Sequence, residues 1–161
     1  SPNKENVVEV FNMAVEINTL KKMINKILQQ NNMPQIDYGI GVGLSKDLVI
    51  KVGKKGVIND LVFIGKAVVN ASNLSNLASR NGIGSIAIDP LFYSNIVDQK
   101  TKDNKNFPTW FESKYEKDSR GYNTSKVEFH HGSVIKTKFD EWIDDGMQNQ
   151  WESNIPIKLG N

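Results

Sequence analysis

The sequence predicts an α/β fold with helices packed on a sheet, and three observations support this. Apolar residues recur at helical spacing over residues 4–30, a strand of period two follows at 36–44, and a second helical stripe begins near residue 64. The short apolar run SIAID then precedes a helix that opens with proline. The first hundred residues are therefore expected to run helix, two strands, helix, strand, helix.

The first helix is predicted over residues 4–30. Asn3 can cap its first N–H groups, Glu5 suits the positive end of the helix dipole, and the sequence NNMP ends it. Its apolar stripe consists of Val7, Val10, Ala14, Ile17, Leu20, Ile24, Ile27 and Leu28.

The next stretch, DYGIGVGLSKD, has glycine at every second position through Gly39, Gly41 and Gly43. A pyrophosphate loop needs the spacing G-x-G-x-x-G, which is absent here. The alternation instead predicts a strand whose glycine face is bare. Three glycines on one face indicate that a helix, another backbone or a ligand approaches closely.

Further elements follow in order. LVIKV reads as a second strand, and GKKG reads as a turn that makes it a hairpin with the glycine strand. A helix ending before Gly82 comes next, and Pro90 opens the small helix PLFYSNI. The apolar stripe of the first of these helices is Ile64, Val68, Ala71, Leu74, Leu77 and Ala78.

The character of the chain changes at Val97. VDQKTKDNKN is predicted to be an exposed loop, and KVEFHHGSVIKTKF carries a strand signal with a turn near Gly132. FDEWIDDGMQNQW predicts a final helix or helical turn. Residues 98–161 either finish the same sheet with two strands or form a small appended element. We expect them to belong to the same domain as residues 1–97.

Composition bounds the function classes. The 161 residues suffice for one domain, and a net charge of +2 argues for neither nucleic acid nor membrane as a partner. Trp110, Trp142 and Trp151 are scattered, which gives little support to a nucleic-acid binder. The lack of cysteine excludes disulfides and fits a reducing cytoplasm, where we expect the protein. No apolar run approaches the length of a bilayer span.

One stretch resembles a known family. YGIGVGLSKDLVIKVGKKGVINDLVFIGKAVVNASNLSNLAS, followed by SIAIDPLFYSNI, is similar to the second half of a class III nucleotidyl cyclase catalytic domain. That family has a strand I-G-I-H-x-G, a hairpin with a V-G pair, a helix G-x-x-V-N-x-A-x-R, and a short strand and helix. The resemblance covers about residues 7–97. The segment FIGKAVVNASNLS is most similar to the corresponding segment of the bacterial antiphage pyrimidine cyclases of the Pycsar type.

The resemblance implies an α+β fold with helices on a largely antiparallel sheet, of which this chain is the C-terminal portion. It also implies a homodimer, a nucleoside triphosphate substrate, and two Mg²⁺ or Mn²⁺ ions held by two aspartates. Both aspartates lie upstream of the first helix in the family, so this chain lacks them. Asp37, Asp47, Asp60 and Asp89 share no spacing that replaces the pair.

Three family roles fall within the chain. The base-selecting position falls on Val62, whose apolar side chain cannot make the hydrogen bond that purine cyclases use. The transition-state asparagine falls on Val69, with Asn70 one residue later, and the transition-state arginine falls on Asn73. Either Asn70 and Asn73 act as neutral donors in a modified catalytic site, or this helix face is structural.

Basic side chains are the remaining candidates. Lys51, Lys54, Lys55 and Lys66 form either a solvated edge or a neutralising group for the triphosphate. Lys136 and Lys138, one strand period apart, would share a face and could serve the same purpose as substrate-binding residues.

Two adjacent histidines, His130 and His131, should point to opposite faces of a strand and so cannot hold one metal.

The resemblance thus implies a cyclase that forms cUMP or cCMP, with the metal site supplied from outside the chain. The 161 residues alone are expected to be inactive. The alternative is a non-catalytic cyclase-like module that binds a nucleotide or mediates dimerisation. In the first case the glycine strand and the asparagine-lined helix are expected to be two walls of a nucleotide cleft.

Overall fold

The computed structural model describes residues 4–45, 48–52, 60–102 and 107–148. Within them the helices are α1 (Lys4–Gln30), α2 (Lys66–Leu77), α3 (Pro90–Lys102) and α4 (Thr137–Asp144). The strands are β1 (Ile40–Val42), β2 (Leu48–Val52), β3 (Asp60–Ile64), β4 (Ile86–Ile88), β5 (Glu112–Lys117) and β6 (Asn123–Gly132). A 3-10 turn covers Phe107–Trp110.

A four-stranded sheet has the order β1-β4-β6-β5. Its first pair is parallel, with Ile40 opposite Ile86, and the other two pairs are antiparallel. The prediction of an α+β fold with a largely antiparallel sheet agrees with this mixed sheet. β5 and β6 therefore finish the same sheet as β1 and β4, as one of the two alternatives for residues 98–161 proposed.

The predicted hairpin between the glycine strand and LVIKV is wrong. LVIKV is β2, and it pairs antiparallel with β3 in a separate two-stranded sheet. The GKKG turn lies outside the described residues. β1 pairs instead with β4, a distant strand that a local turn signal cannot identify.

Two further boundaries differ from the sequence expectation. α3 continues to Lys102, so the predicted loop after Val97 begins as helix. β6 ends at Gly132 without turning into another strand, and the hairpin turn of this region lies at 118–122, where the Asp118 N–H bonds to the Tyr122 carbonyl at 2.8 Å. Charged residues along β5 obscured its strand period in the sequence.

The main core lies between the sheet and the pair α1 and α3. Its centre is an aromatic cluster in which the rings of Phe11 and Phe107 lie 5.2 Å apart, edge to face. Ile86 and Ile88 of β4 point into this face of the sheet and are fully buried.

α2 covers the opposite face. Its core is smaller, with Leu74, Ala78, Ala87 and Phe129 buried together. The predicted apolar stripe of this helix is only partly correct, because Val68 is 57% exposed and Leu77 is 44% exposed. Ile64 lies in β3 and not in the helix.

The bounds predicted for α1 are confirmed, but its predicted apolar stripe is mostly not the buried face. The side chains it buries are Val7, Phe11, Ala14, Val15, Asn18 and Thr19. Val10, Ile17 and Ile27 of the predicted stripe are exposed. The proposed cap at Asn3 lies outside the described residues. In the described part of the chain, no helix combines the length and apolarity needed to cross a membrane.

Candidate functional site

The position of α2 is set by the glycines of β1. A Cβ on Gly39 would lie 2.5 Å from the Ala78 carbonyl oxygen, and one on Gly43 would lie 2.6 Å from that of Ala67. A Cβ on Gly41 would overlap the Ala71 carbonyl oxygen. The glycine face therefore exists to admit the helix backbone, as the close-packing interpretation predicted.

This contact limits where a nucleotide cleft bounded by β1 and α2 can lie. Backbone touches backbone along the strand, so no ligand fits between the two elements. Any site on α2 must lie on its outer face or at its ends.

The N-terminus of α2 is capped by a side chain that is distant in the sequence. Gly65, which precedes the helix, is extended and offers no side chain for capping. The Ala67 N–H instead donates to Ser45 Oγ at 2.9 Å, so the segment after β1 supplies the acceptor. Sequence analysis missed Ser45, because its partner lies 22 residues later.

The outer face of α2 carries both predicted catalytic residues. Asn70 and Asn73 are exposed. Val68 and Val69 beside them are 57% and 58% exposed. Exposed amides next to exposed valines give this face of α2 a mixed polar and apolar surface.

Val62 stands close to this helix in the chain. It lies in β3 opposite Ile50, three residues before Gly65. Its backbone therefore leads directly into the N-terminus of α2, while its side chain lies outside what the structure describes.

Lys136 lies elsewhere. Its backbone N–H donates to Thr19 Oγ1 at 2.9 Å and its Nζ lies 3.2 Å from Asn12 Oδ1, both on α1. It is thus on the opposite side of the sheet from Asn70 and Asn73. Lys138 lies within α4, so the prediction that these two lysines share a strand face is wrong. Lys54 and Lys55 lie outside the described residues.

A cavity of about 530 Å³ adjoins Lys136. Its walls are contributed by α1, the 3-10 turn and the segment between β6 and α4. The lining side chains include Phe11, Asn12, Trp110, Ser133, Lys136 and Thr137.

The carboxylates of the described residues do not cluster as metal ligands. Asp89 is 5% exposed and accepts hydrogen bonds from the N–H groups of Leu44 and Phe92, each at 2.6 Å. Asp60 is the first residue of β3, but the structure does not describe its side chain. Asp47 is not among the described residues. Over residues 4–45, 48–52, 60–102 and 107–148, no cluster of three His, Cys, Asp or Glu side chains could hold an ion.

A polar cluster joins α1, the approach to β1 and the end of α2. Lys21 Nζ lies 2.8 Å from Asp37 Oδ1, and Ser79 Oγ donates to the same oxygen at 2.9 Å. The hydrogen bond from Lys21, followed by the one from Ser79, lowers the pKa of Asp37. Asp37 is thus a structural partner of this lysine.

The two histidines face opposite sides of the sheet, as predicted. His130 stacks on Tyr93 of α3 with ring centroids 3.6 Å apart. His131 Nδ1 accepts from the Gly84 N–H at 3.1 Å on the α2 side. Burial lowers the pKa of both, so both imidazoles are favoured in the neutral form.

Comparisons with known proteins add one relative. No family model matches the chain. No solved structure matches it. A protein from Treponema porcinum named "Uridylate cyclase" is 37% identical over 148 residues, which is 91% of this chain and 47% of that protein. The chain therefore spans about half the length of that protein. Over nearly all of its own length, it is a relative of a protein named as a uridylate cyclase.

Proposed function

We propose that this chain is part of a nucleotidyl cyclase that converts UTP or CTP into the 3′,5′-cyclic nucleotide and pyrophosphate. The observation that carries the proposal is its 37% identity to a named uridylate cyclase over 91% of its length. The product, cUMP or cCMP, would act as a second messenger in antiphage defence in the cytoplasm.

In this reaction the ribose 3′-oxygen loses its proton and forms a bond to the α-phosphorus. The bond between that phosphorus and the bridging oxygen of pyrophosphate breaks. Such a transition state needs positioned donors and cations more than covalent chemistry. The amides of Asn70 and Asn73, which are exposed on α2, would donate to the α-phosphate oxygens.

The proposal assigns the Mn²⁺ or Mg²⁺ ligands to a part of the protein outside these 161 residues. The described carboxylates support this, because Asp37 and Asp89 are engaged in structural hydrogen bonds. The ions, when bound there, would neutralise the triphosphate. Val62 at the approach to α2 would contact the base, where an apolar side chain disfavours purine selection.

A homodimer fits the outer face of α2. Val68 and Val69 are more than half exposed and directly precede Asn70. A partner subunit covering this face would bury the valines and enclose the two asparagines in the site. Lys136 lies on the far side of the sheet, so this arrangement gives it no contact with a triphosphate bound beside Asn70 and Asn73.

A product assay tests the proposal. We expect the 161-residue chain incubated with UTP, CTP or ATP and Mn²⁺ to yield no cyclic product. The longer polypeptide that contains it should yield cUMP or cCMP. Cyclic product from the short chain at enzyme-like rates would refute the assignment of the metal site, and no product from the longer one would refute the cyclase itself.

A variant pair tests the role of the helix. In the longer polypeptide, Asn73→Ala should lower kcat by on the order of 10² through loss of a transition-state donor. Asn76→Ala, one turn further along the same exposed helix, is the matched control and should leave kcat unchanged. Equal activity of the two variants would remove Asn73 from the site.

A second function is a non-catalytic module that binds a nucleotide or mediates dimerisation. It is favoured by Val69 and Asn73, which stand where the resembling family has asparagine and arginine. Calorimetric titration separates the two: the module would bind UTP or CTP without turnover in the longer polypeptide as well.

A further inference from the structure

Helix α1 has a second apolar face in addition to the one it buries. Six residues at successive spacings of three and four form a stripe of exposed and half-buried side chains: Val10, Met13, Ile17, Leu20, Ile24 and Ile27. Met13 is 57% exposed, and Val10, Ile17 and Ile27 are each 41–42% exposed. This is the spacing of a seam that packs against another helix.

The size of the stripe exceeds that of scattered surface residues. It spans five turns of α1, or roughly 26 Å at 1.5 Å per residue. Contiguous apolar surface on this scale normally marks an interface. We call this set of six residues the α1 stripe.

The α1 stripe borders the approach to β1. Tyr38 Oη donates to the Ile17 carbonyl at 2.8 Å, and the Asn25 side chain exchanges two hydrogen bonds with the backbone of Ile36, each of 2.8 Å. Ile36 itself is 43% exposed and Met33 is 56% exposed. The apolar surface therefore continues from the helix onto the segment that enters the sheet.

On the same flank, β1 ends the four-stranded sheet. The Ile40 N–H donates to the Ser85 carbonyl, and the Val42 carbonyl accepts from the Asp89 N–H. Because backbone groups alternate in direction along a strand, the N–H and C=O of Gly41 point away from β4. Among the residues the structure describes, no strand pairs with this edge.

We propose that this flank is where the remainder of a longer polypeptide docks, adding a strand along β1 and laying an apolar helix on the α1 stripe. The inference rests on the proposed function, which places the metal-binding part outside this chain. An unpaired strand edge beside an uncovered helix stripe is what a sheet and its helix layer show when both are interrupted at one place.

The length of the relative favours this occupant over a second copy of the chain. The chain matches 47% of that protein, so more than half of it lies outside the match. This is enough polypeptide for further strands and a helix. The docked strand would be held by backbone hydrogen bonds to Gly41 and the helix by burial of the α1 stripe.

Hydrogen exchange tests the strand. The peptide covering residues 38–44 should exchange at the β1 edge within the shortest labelling time in the 161-residue chain, and at least about tenfold more slowly in the longer polypeptide. A natural protein no longer than 161 residues, or unchanged exchange at Gly41 in the longer form, overturns the proposal.

A double variant tests the stripe. Met13→Lys with Ile17→Lys replaces two exposed side chains and should leave the Tm of the 161-residue chain unchanged. In the longer polypeptide it should lower the Tm by about 5 °C or more, since both lysines would be buried. Leu91→Lys is the control, because Leu91 is 52% exposed on α3.

Other outcomes decide against the proposal. If the double variant behaves like Leu91→Lys in the longer polypeptide, nothing docks on the stripe. If the 161-residue chain is a dimer that the double variant converts to a monomer, the stripe belongs to a second copy. Neither readout involves a nucleotide, so failure here is distinguishable from failure of the cyclase proposal, which the product assay decides.

Discussion

On one face of the four-stranded sheet, α1 and α3 pack through large side chains, whereas on the other face the backbone of α2 lies directly on the glycines of β1. The first face buries Phe11, Phe92 and Phe107. The second leaves a Cβ on Gly41 no room beside the Ala71 carbonyl. The first contact depends on volume and the second on the absence of side chains.

The difference shows how a helix can be held firmly while its outer face stays exposed. α2 needs few buried side chains, because the close contact with β1 and the cap from Ser45 set its position. Its outward residues, including Asn70 and Asn73, therefore do not contribute to the core. The following four experiments probe the comparison, beginning with the largest expected effect.

Phe107→Ala tests the large-side-chain face. Phe107 is fully buried, with the rings of Phe11 and Phe111 5.2 and 5.5 Å away. Its removal should cost about 3–5 kcal/mol of unfolding free energy, measured by urea denaturation. Phe107→Leu, which keeps most of the volume, should cost much less. Equal losses for the two variants would mean that volume is not what this face requires.

Gly41→Ala tests the glycine face. One methyl group should cost about 3 kcal/mol, at the upper end for overpacking, because it meets a carbonyl oxygen and not a flexible side chain. Ala71→Gly should not rescue it, since the obstructing atom belongs to the backbone. A Gly41→Ala protein as stable as the parent would show that α2 can move away from β1 at little cost.

Asp89→Ala tests the link between β1 and α3 on the first face. The variant loses the acceptor for the N–H groups of Leu44 and Phe92 and should lose about 2 kcal/mol, as for an N-cap. Asp89→Asn keeps one side-chain oxygen and should lose less. Thermal melts of the parent and the two variants give the order of their stabilities. An Asp89→Ala protein with the Tm of the parent would show that these two hydrogen bonds do not stabilise the fold.

Acid titration compares the two histidines across the sheet. Both have a lowered pKa in the fold, so stability should be constant above about pH 6.5 and fall as the pH decreases below it, because the unfolded chain takes up protons first. His130→Phe, which removes the group stacked on Tyr93, should reduce the loss of Tm between pH 7.5 and 5.

His131→Phe should reduce this acid sensitivity less, because the charge of Glu112 opposes the effect of burial on the pKa of His131, whereas the charge of His131 adds to the effect of burial on the pKa of His130. An acid sensitivity that neither variant changes would assign it to other groups. This effect is expected to be the smallest of the four.

Local signals predicted a good part of the fold. The bounds of α1, the start of α3 at Pro90 and the close approach to the glycines of β1 all follow from periodicity and residue type. The pairing of β1 with β4 did not, because parallel pairing joins distant strands and leaves no turn signature. The charged pattern of β5 likewise concealed a strand.

Periodicity also fails where a helix is apolar on two faces. Val7 and Ile17 belong to the same predicted stripe of α1, yet Val7 is buried and Ile17 is exposed. Spacing alone does not say which face meets the sheet. For the candidate site, Asn70 and Asn73 were placed on one exposed helix face as expected, whereas Lys136 was separated from them because residues 133–136 lead into a helix and not along a strand.

The bond from the Ala67 N–H to Ser45 has a consequence for the order of folding. Nucleating a helix of twelve residues is unfavourable in isolation, and α2 has no capping side chain of its own. We therefore expect residues 66–77 to be largely disordered as a free peptide. In the intact chain, α2 should become helical only after β1 has paired with β4 and carried Ser45 into place, which would make it one of the last elements to form.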